Sequence, residues 1–228
     1  MARRPVFVPA GPEDGWVHVV TPEFEWHPGL SRAQMQRSIA SLHRATAAAG
    51  LDPVLEISSK SPDPLGVELS AFNLRLSVDA GRWVTVEAAY QGSKVFASGG
   101  PYPDLFDLPS REAKLDPRVR SGDALTAFEF QGMRWPLEPV TVFYDWLYLR
   151  ALSETPVLAD QLTRFAAFTD IVFNPAKSIN CQAHAAALYV ALRRAGAIDG
   201  ALRSPEEMIR QVSGEPETRG EAQPDLFG

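Results

Sequence analysis

The sequence predicts an α+β fold in which helices predominate, and three observations support this class. Apolar residues recur at helical spacing over long stretches, most clearly across 139–152 and 180–195. Short β-type runs bounded by turn residues occur within 6–20 and within 69–84, so we expect a few short strand pairs. No internal repeat is present. Mostly helices with two or three short strand pairs is the pattern of an α+β domain.

The expected elements alternate with turn residues along the whole chain. In order they are strands at 6–8 and 16–20, a helix at 31–49, a strand at 51–57, a Ser/Pro/Gly-rich loop at 58–66, strands at 69–78 and 82–84, a helix at 86–96, helical turns beginning at Ser110 and Asp123, and helices at 139–152, 156–165, 180–195 and 204–212. Ser31 and Ser204 open capping boxes, and Thr85 is the expected N-cap of the helix at 86–96. The turn at 79–81 joins the two central strands.

Length and element order predict one main domain with additions at both ends. We expect an N-terminal strand and helix extension at 1–50 that packs on the core, and a main domain at 51–200. A short C-terminal helix at 201–212 follows. The last segment, 213–228, is polar and rich in Gly, Glu and Pro, so we expect a disordered tail.

Composition excludes several classes of site. The one cysteine, Cys181, allows neither an internal disulfide nor a cysteine-based zinc cluster, and the four histidines lack metal-binding spacing. A P-loop and a dinucleotide fingerprint are both missing, so we expect no metal and no cofactor. The net charge of −6 opposes broad non-specific DNA binding. No apolar run approaches the roughly 20 residues that span a bilayer, and no signal peptide begins the chain, so we expect a cytoplasmic protein without membrane contact.

Residues 86–96 carry the densest polar chemistry. On a continuous helix, Glu87 and Lys94 lie within about 20° of each other around the axis and about 10.5 Å apart along it, with Tyr90 and Gln91 between them. That distance is too long for a simple ion pair, yet both side chains reach one sugar-sized ligand laid across the face. Periodicity alone favours a solvated polar face. Tyr, Gln and Gly in place of further charges favour a binding surface.

The same segment resembles a family motif. Glu87-Ala88-Ala89-Tyr90-Gln91-Gly92-Ser93-Lys94 is similar to the Glu-x-x-Tyr/Phe-Gln-x-x-Lys helix of the NADAR family, which has the YbiA-like fold and hydrolyses N-glycosidic bonds. Further similarities, in the family's order, lie at 69–72, 134–135 and 154–158. The resemblance covers roughly residues 55–195.

One branch of that family is the nearer match: the NADAR antitoxins that accompany guanine-directed DNA ADP-ribosyltransferase toxins. Segments that resemble those of this branch lie at 26–29, 57–61, 168–175 and 177–182. Two positions depart from the family pattern. Ala71 stands where the Ser-Asn-Phe turn usually has Asn, and Ala88 stands where a His often follows the helix Glu.

The resemblance implies that ADP-ribose is removed from a guanine amino group in DNA, with single-stranded DNA as substrate, ADP-ribose as product and a cognate DNA ADP-ribosyltransferase toxin as partner. Glu87 would stabilise an oxocarbenium-like cation or act as general acid. Lys94 would either attack the anomeric carbon and form a Schiff base, or hold phosphate or ribose hydroxyls electrostatically. Asp170 would be the second acid, orienting water.

The remaining candidates would contact the substrate. They are Trp135 as a base-stacking surface, Tyr90 and Gln91 at ribose hydroxyls, Lys60, Ser178 and Asn180 at the pyrophosphate, and Ser70 and Phe72 in the turn before the helix. Each has a structural alternative. Trp135 also suits an apolar plug at a helix start, Tyr90 a half-buried core residue, and Asp170 an ordinary loop cap.

Two other functions stay open at this stage. One is hydrolysis of a small phosphoribosylamino metabolite, as in a riboflavin-pathway branch of the family, and the other is non-catalytic binding of a toxin. In addition, Gln223-Pro224-Asp225-Leu226-Phe227 resembles the short peptide that docks bacterial sliding clamps. A sliding clamp is therefore a candidate partner through Gln223, Asp225, Leu226 and Phe227.

Overall fold

The computed structural model describes residues 1–29, 31–79, 81–176 and 178–213. The helices in these ranges are α1 (Arg32–Ala48), α2 (Pro64–Glu68), α3 (Val86–Gly92), α4 (Ser110–Leu115), α5 (Val142–Ser153), α6 (Pro156–Leu162), α7 (Gln182–Arg194), α8 (Ile198–Ala201) and α9 (Pro205–Ser213), with 3₁₀ turns at Pro12–Asp14, Pro103–Asp107 and Pro117–Arg120. The strands are β1 (Ala2–Arg3), β2 (Val6–Pro9), β3 (Val17–Val20), β4 (Glu23–Phe24), β5 (Val54–Glu56), β6 (Arg75–Asp79), β7 (Arg82–Thr85), β8 (Lys94–Phe96), β9 (Leu125–Phe130), β10 (Met133–Trp135) and β11 (Ala167–Thr169). This content confirms the predicted α+β class.

A four-stranded mixed sheet joins the N-terminal segment to the rest of the chain. Its order is β3-β2-β11-β5, with β2 antiparallel to both neighbours and β11 parallel to β5. Strand β2 is thus an inner strand, and α1 packs Ile39 and Leu42 into an apolar cluster with Val6. The sheet positions the end of β5, where Glu56 and Ser58 approach the site described below.

Helix α5 is the centre of the main core. Its residues from Val142 to Leu149 are all buried, as expected for a helix that is apolar on every side. It packs on α7 and on a cluster of aromatic rings contributed mainly by β9 and β10. Tyr148 also donates a hydrogen bond of 2.6 Å to the backbone oxygen of Leu69, which fixes the turn before β6 against the core.

The helix predicted over 86–96 is shorter than expected. It begins as predicted, with the Thr85 hydroxyl accepting from the backbone N–H of Ala88, but it ends at Gly92. Lys94 then starts β8, which pairs antiparallel with β9. The backbone oxygens of Gly92 and Ser93 accept from the N–H groups of Tyr102 and Glu129, each at 2.7 Å, so the helical hydrogen bonds do not continue. Close packing also restricts position 92 to glycine, because a Cβ there would lie 2.5 Å from the Phe106 ring and 2.8 Å from the backbone oxygen of Tyr102.

Two further predictions are corrected, one of a strand and one of a helical turn. The strand expected at 69–78 begins only at Arg75, because the backbone oxygen of Ser70 accepts from both Asn73 and Leu74 and closes a turn. The helical turn expected from Asp123 is absent, and strand β9 forms between β8 and β10 instead. The long helices near residues 31–49, 139–152 and 180–195 are confirmed, with ends shifted by one to three residues.

Part of the C-terminal prediction cannot be compared with the structure. The candidate clamp-binding residues Gln223, Asp225, Leu226 and Phe227 lie outside the described residues, as does all of 214–228. Across the described ranges, none of the helices combines the length and apolar character needed to cross a bilayer.

Candidate functional site

A cavity of about 580 Å³ lies between α3, the loops at 58–59 and 70–72, and the segment that leads into α7. This volume is within the range of about 300–1,000 Å³ that small-molecule sites occupy. Its lining residues are Ser58, Ser59, Ser70, Ala71, Phe72, Glu87, Tyr90, Gln91, Lys94, Lys114, Tyr144, Asp170, Val172, Phe173, Ser178, Ile179, Asn180 and Gln182.

Most of the side chains proposed from the sequence meet in this cavity. Those that line it are Ser70, Phe72, Glu87, Tyr90, Gln91, Lys94, Asp170, Ser178 and Asn180. They come from three separate parts of the chain, which the fold brings together around one space. The two that do not line it are Trp135 and Lys60.

Glu87, Gln91 and Lys94 form a continuous hydrogen-bonded chain on one wall. The Gln91 amide Nε2 donates to Glu87 Oε1 at 2.9 Å, and the Lys94 ammonium Nζ donates to Gln91 Oε1 at 2.7 Å. Glu87 and Gln91 are each only 5% exposed. Gln91 therefore bridges a carboxylate and an amine that are too far apart to pair directly. Its amide is already engaged, so it holds the two charged groups in place.

Burial is the main influence on Lys94. Desolvation lowers the pKa of its amine, and the positive charge of Lys114 lowers it further, while Glu87 opposes both. The Lys94 Nζ also lies 5.1 Å from the centre of the Tyr90 ring, a cation–π distance. A lysine whose pKa falls is easier to deprotonate, and the neutral amine is the nucleophilic form.

Lys114 is a cavity residue that sequence reasoning missed. It extends from α4, and its Nζ lies 3.3 Å from Glu87 Oε1 and 5.3 Å from the centre of the Phe72 ring. Its side chain is 53% exposed, so solvent weakens this ion pair. Nothing local in the sequence marks Lys114, because it approaches Glu87 only through the packing of α4 on α3.

Asp170 lines the same cavity and is almost completely buried. Its Oδ1 accepts from the backbone N–H groups of Val172 and Phe173, and its Oδ2 accepts from the Gln182 amide at 3.0 Å. Burial raises the pKa of Asp170, and these hydrogen bonds only partly oppose the shift. A carboxyl with a raised pKa exchanges a proton closer to neutral pH, which suits a general acid or base.

A second buried acid, Glu56, lies behind Asp170 and was also missed. Its oxygens accept from Ser58, Thr169 and the backbone N–H of Ile171 at 2.7 to 3.2 Å. Burial, followed by the charge of Asp170, raises the pKa of Glu56. The available signal was a glutamate inside the otherwise apolar run Val54-Leu55-Glu56-Ile57.

The segment that leads into α7 supplies amide groups. Gln182 ties three parts of the site together, because its Oε1 accepts from the N–H of Ala71 at 2.8 Å while its Nε2 donates to Ile57 and to Asp170. Asn180 differs: its buried Oδ1 has no hydrogen-bond partner among the described residues. An unsatisfied acceptor on a cavity wall is suited to a ligand hydroxyl or N–H.

Tyr90 is both a core residue and a wall of the cavity. Its ring packs at 5.3 Å from Phe128 and edge-on to Tyr144 at 5.4 Å. Burial raises the pKa of Tyr90 to about 12. Its hydroxyl therefore stays protonated at neutral pH and is available as a donor.

Trp135 does not fit the base-stacking role considered for it. The residue is 0% exposed and packs against Phe143 and Trp146 at 5.5 and 4.9 Å, away from the cavity. A base cannot stack on Trp135 unless this core opens. The structure therefore agrees with the alternative interpretation of Trp135 as an apolar core residue. Lys60 likewise is not a lining residue; the neighbouring Ser58 and Ser59 occupy that part of the wall.

No group of His, Cys, Asp and Glu among the described residues is arranged to hold a metal ion. The chemistry available in the cavity is that of two acids, two amines, several amides and several hydroxyl groups. A carboxylate near an amine with a lowered pKa suits attack at an electrophilic carbon and stabilisation of the positive charge that develops there.

Comparison with known proteins places this site in a family. A search of curated proteins finds no match to the chain. A family model described as the DarT1-associated NADAR antitoxin matches residues 2–222, nearly the whole sequence. The match extends well beyond the motif around α3 and includes the N-terminal sheet strands and α9. The chain therefore belongs to the family of DarT1-associated NADAR antitoxins.

Proposed function

We propose that this protein hydrolyses the N-glycosidic bond between ADP-ribose and a guanine in DNA, and that it thereby reverses the modification made by a guanine-specific DNA ADP-ribosyltransferase. The observation that carries the proposal is the chain of Glu87, Gln91 and Lys94 at the cavity wall, with Lys94 desolvated. Membership in an antitoxin family associated with DarT1 supports the biological role.

Lys94 has the position and environment of a nucleophile. Its neutral amine attacks the anomeric carbon, the bond from that carbon to the guanine amino nitrogen breaks, and the departing nitrogen takes a proton. Loss of a proton from the new amine and opening of the ribose ring then give a protonated imine, with the ring oxygen becoming a hydroxyl. Water adds to the imine carbon, and cleavage of its bond to Lys94 releases ADP-ribose and restores the amine.

Two carboxyl groups divide the acid–base work. Glu87, beside Lys94, provides negative charge where the anomeric carbon becomes cationic. Asp170, whose pKa burial raises, supplies the proton to the leaving nitrogen and later orients the attacking water. Ser178 and Asn180 lie just before the N-terminus of α7, a position that favours the anionic pyrophosphate.

The test uses single-stranded DNA carrying ADP-ribose on guanine. Wild-type protein should release free ADP-ribose and restore an unmodified guanine, both identified by mass spectrometry. Glu87→Gln and Lys94→Ala should each lower the rate by at least about 100-fold, whereas Glu112→Gln on exposed α4, outside the cavity, should leave it unchanged.

Protection of cells separates catalysis from toxin binding. If Glu87→Gln or Lys94→Ala still protects cells from the partner toxin at the wild-type level, hydrolysis is not the mechanism.

The Schiff base has its own test: borohydride added during turnover should leave a reduced ADP-ribose adduct on Lys94. An active wild-type enzyme that yields no adduct would refute the covalent route and leave Lys94 an electrostatic role.

A further inference from the structure

A second groove, of about 570 Å³, adjoins the catalytic cavity. It lies between the β6–β7 hairpin and residues 106–111, and Phe72 forms part of the wall of both spaces. Two aromatic side chains there are unusually open to solvent: Trp83 is 44% exposed and Phe72 is 38% exposed. Large exposed aromatic rings grouped in a groove mark a binding surface more often than a solvated one.

The groove also carries positive charge that is not neutralised locally. Arg75 and Arg111 line it, both are exposed, and neither belongs to an ion pair among the described residues. The acidic residue in the groove is Asp107, and Arg82 pairs with it at 3.3 Å. In a chain of net charge −6, this local positive balance is a specific feature of the surface.

Helix α4 links the groove to the catalytic cavity. Arg111 faces the groove, and Lys114, three residues later, faces the cavity with its Nζ over the Phe72 ring at 5.3 Å. Ser110 donates a hydrogen bond of 3.1 Å to the backbone oxygen of Phe72, which fixes the shared wall. Cationic and aromatic side chains thus line both the groove and the adjoining cavity.

We infer that this groove binds the single DNA strand that flanks the modified guanine. Bases stack on Trp83 while Arg75 and Arg111 contact phosphates, which is the combination by which proteins hold single strands without reading sequence. The modified guanosine itself occupies the catalytic cavity beyond Phe72. The inference rests on the proposed function for the chemistry in the cavity, and it adds where the rest of the substrate lies.

Binding of an unmodified, fluorescein-labelled single-stranded oligonucleotide, measured by anisotropy over a range of salt concentrations, tests the groove directly. Trp83→Ala should weaken binding at least about fivefold, and Trp83→Phe should retain most of it because a stacking ring remains. Arg75→Gln with Arg111→Gln should make the slope of log K against log salt shallower by about 1.4, since each phosphate contact on a single strand contributes about 0.7.

The matched control is the pair Arg194→Gln and Arg203→Gln. Both arginines are exposed and line neither space, and Arg194 lies about 18 Å along α7 from Gln182 at 1.5 Å per residue. The control should keep the wild-type affinity and slope. Thermal melts should show the groove variants folded, because Trp83 is an exposed residue of a surface hairpin.

Hydrolysis provides the second readout. The groove variants should raise the KM for an ADP-ribosylated oligonucleotide about fivefold or more, and should cleave ADP-ribosylated deoxyguanosine, which has no flanking strand, like wild type. Equal affinity and equal salt slopes in wild type and groove variants would overturn the inference. So would variants that bind DNA normally but fail to protect cells, a result that assigns the groove to a protein partner. If wild type cleaves neither substrate, the proposed function fails, yet the anisotropy still decides whether the groove binds DNA.

Discussion

The substitution Gln91→Met distinguishes two possible roles of Gln91, which are to hold Glu87 and Lys94 in position and to bind the substrate. Gln91 is 5% exposed and makes two hydrogen bonds, one to Glu87 and one from Lys94. Methionine has nearly the same length and volume, so the substitution removes both bonds without opening a large cavity. Glu87 and Lys94 then lose the group that fixes their separation.

The expected effect follows from the strength of hydrogen bonds to charged groups. Each such bond contributes about 1.5–3 kcal/mol when buried. Both bonds cannot be counted in full, because Glu87 keeps Lys114 at 3.3 Å and Lys94 keeps the Tyr90 ring at 5.1 Å. A net loss of about 2–3 kcal/mol of transition-state stabilisation predicts a fall of roughly 30- to 150-fold in kcat.

Steady-state kinetics on the ADP-ribosylated oligonucleotide are the assay. Substitution of a positioning residue lowers kcat and leaves KM nearly constant. Substitution of a residue that binds ribose hydroxyls equally in the ground state and the transition state raises KM and leaves kcat unchanged. Ser93→Ala is the matched control, since Ser93 is buried in the same segment and bonds only the backbone of Ala89. A rise in KM alone for Gln91→Met would refute the positioning argument.

Three further substitutions test the electrostatics and the core. Lys114→Met removes a charge that lowers the pKa of Lys94, so the acidic limb of the kcat–pH profile should move to higher pH. An acidic limb that stays in place would show that this limb does not report the ionisation of Lys94. Burial and Asp170 raise the pKa of Glu56, so the folded state binds more protons than the unfolded chain between the ordinary pKa of about 4.5 and the raised folded pKa, and this group's contribution to stability declines as pH rises through that interval. Glu56→Gln should therefore flatten the fall of the urea midpoint with pH, and an unchanged pH dependence would contradict the shift. Trp135→Phe should lower the free energy of unfolding by about 1–3 kcal/mol with an unchanged KM, and a raised KM at unchanged stability would restore its stacking role.

Local periodicity predicted part of the cavity wall correctly. Glu87 and Gln91 are four residues apart, so one helical turn brings them together whatever the rest of the fold does, and their hydrogen bond follows from that spacing. Lys94 was expected on the same helix, but the chain leaves the helix at Gly92. The cause is tertiary, since the backbone oxygens of Gly92 and Ser93 accept hydrogen bonds from Tyr102 and Glu129 instead of from helical partners.

The partners of these residues were beyond the reach of local reasoning. Lys114 lies 27 positions after Glu87 in the sequence and contacts it only because α4 packs against α3. Gln182 bonds Ala71 across more than 100 residues. For Trp135 the sequence allowed a stacking surface, but the burial of a side chain depends on what packs around it. Strand β10 directs the Trp135 ring into the core.

The two acids of the cavity have environments that favour different roles. Glu87 accepts from the Gln91 amide, pairs with Lys114 at 3.3 Å and is linked to Lys94 through Gln91, contacts that suit a group acting through its charge. Asp170 lies over the buried Glu56, and desolvation raises its pKa, so it is the group better placed to carry a proton. Titratable groups with contrasting surroundings in one cavity are the usual basis for assigning acid and electrostatic roles. In the reaction proposed above, which protonates a leaving nitrogen while a cation forms on the sugar, this contrast favours Asp170 as the proton donor and Glu87 as the group that stabilises the charge.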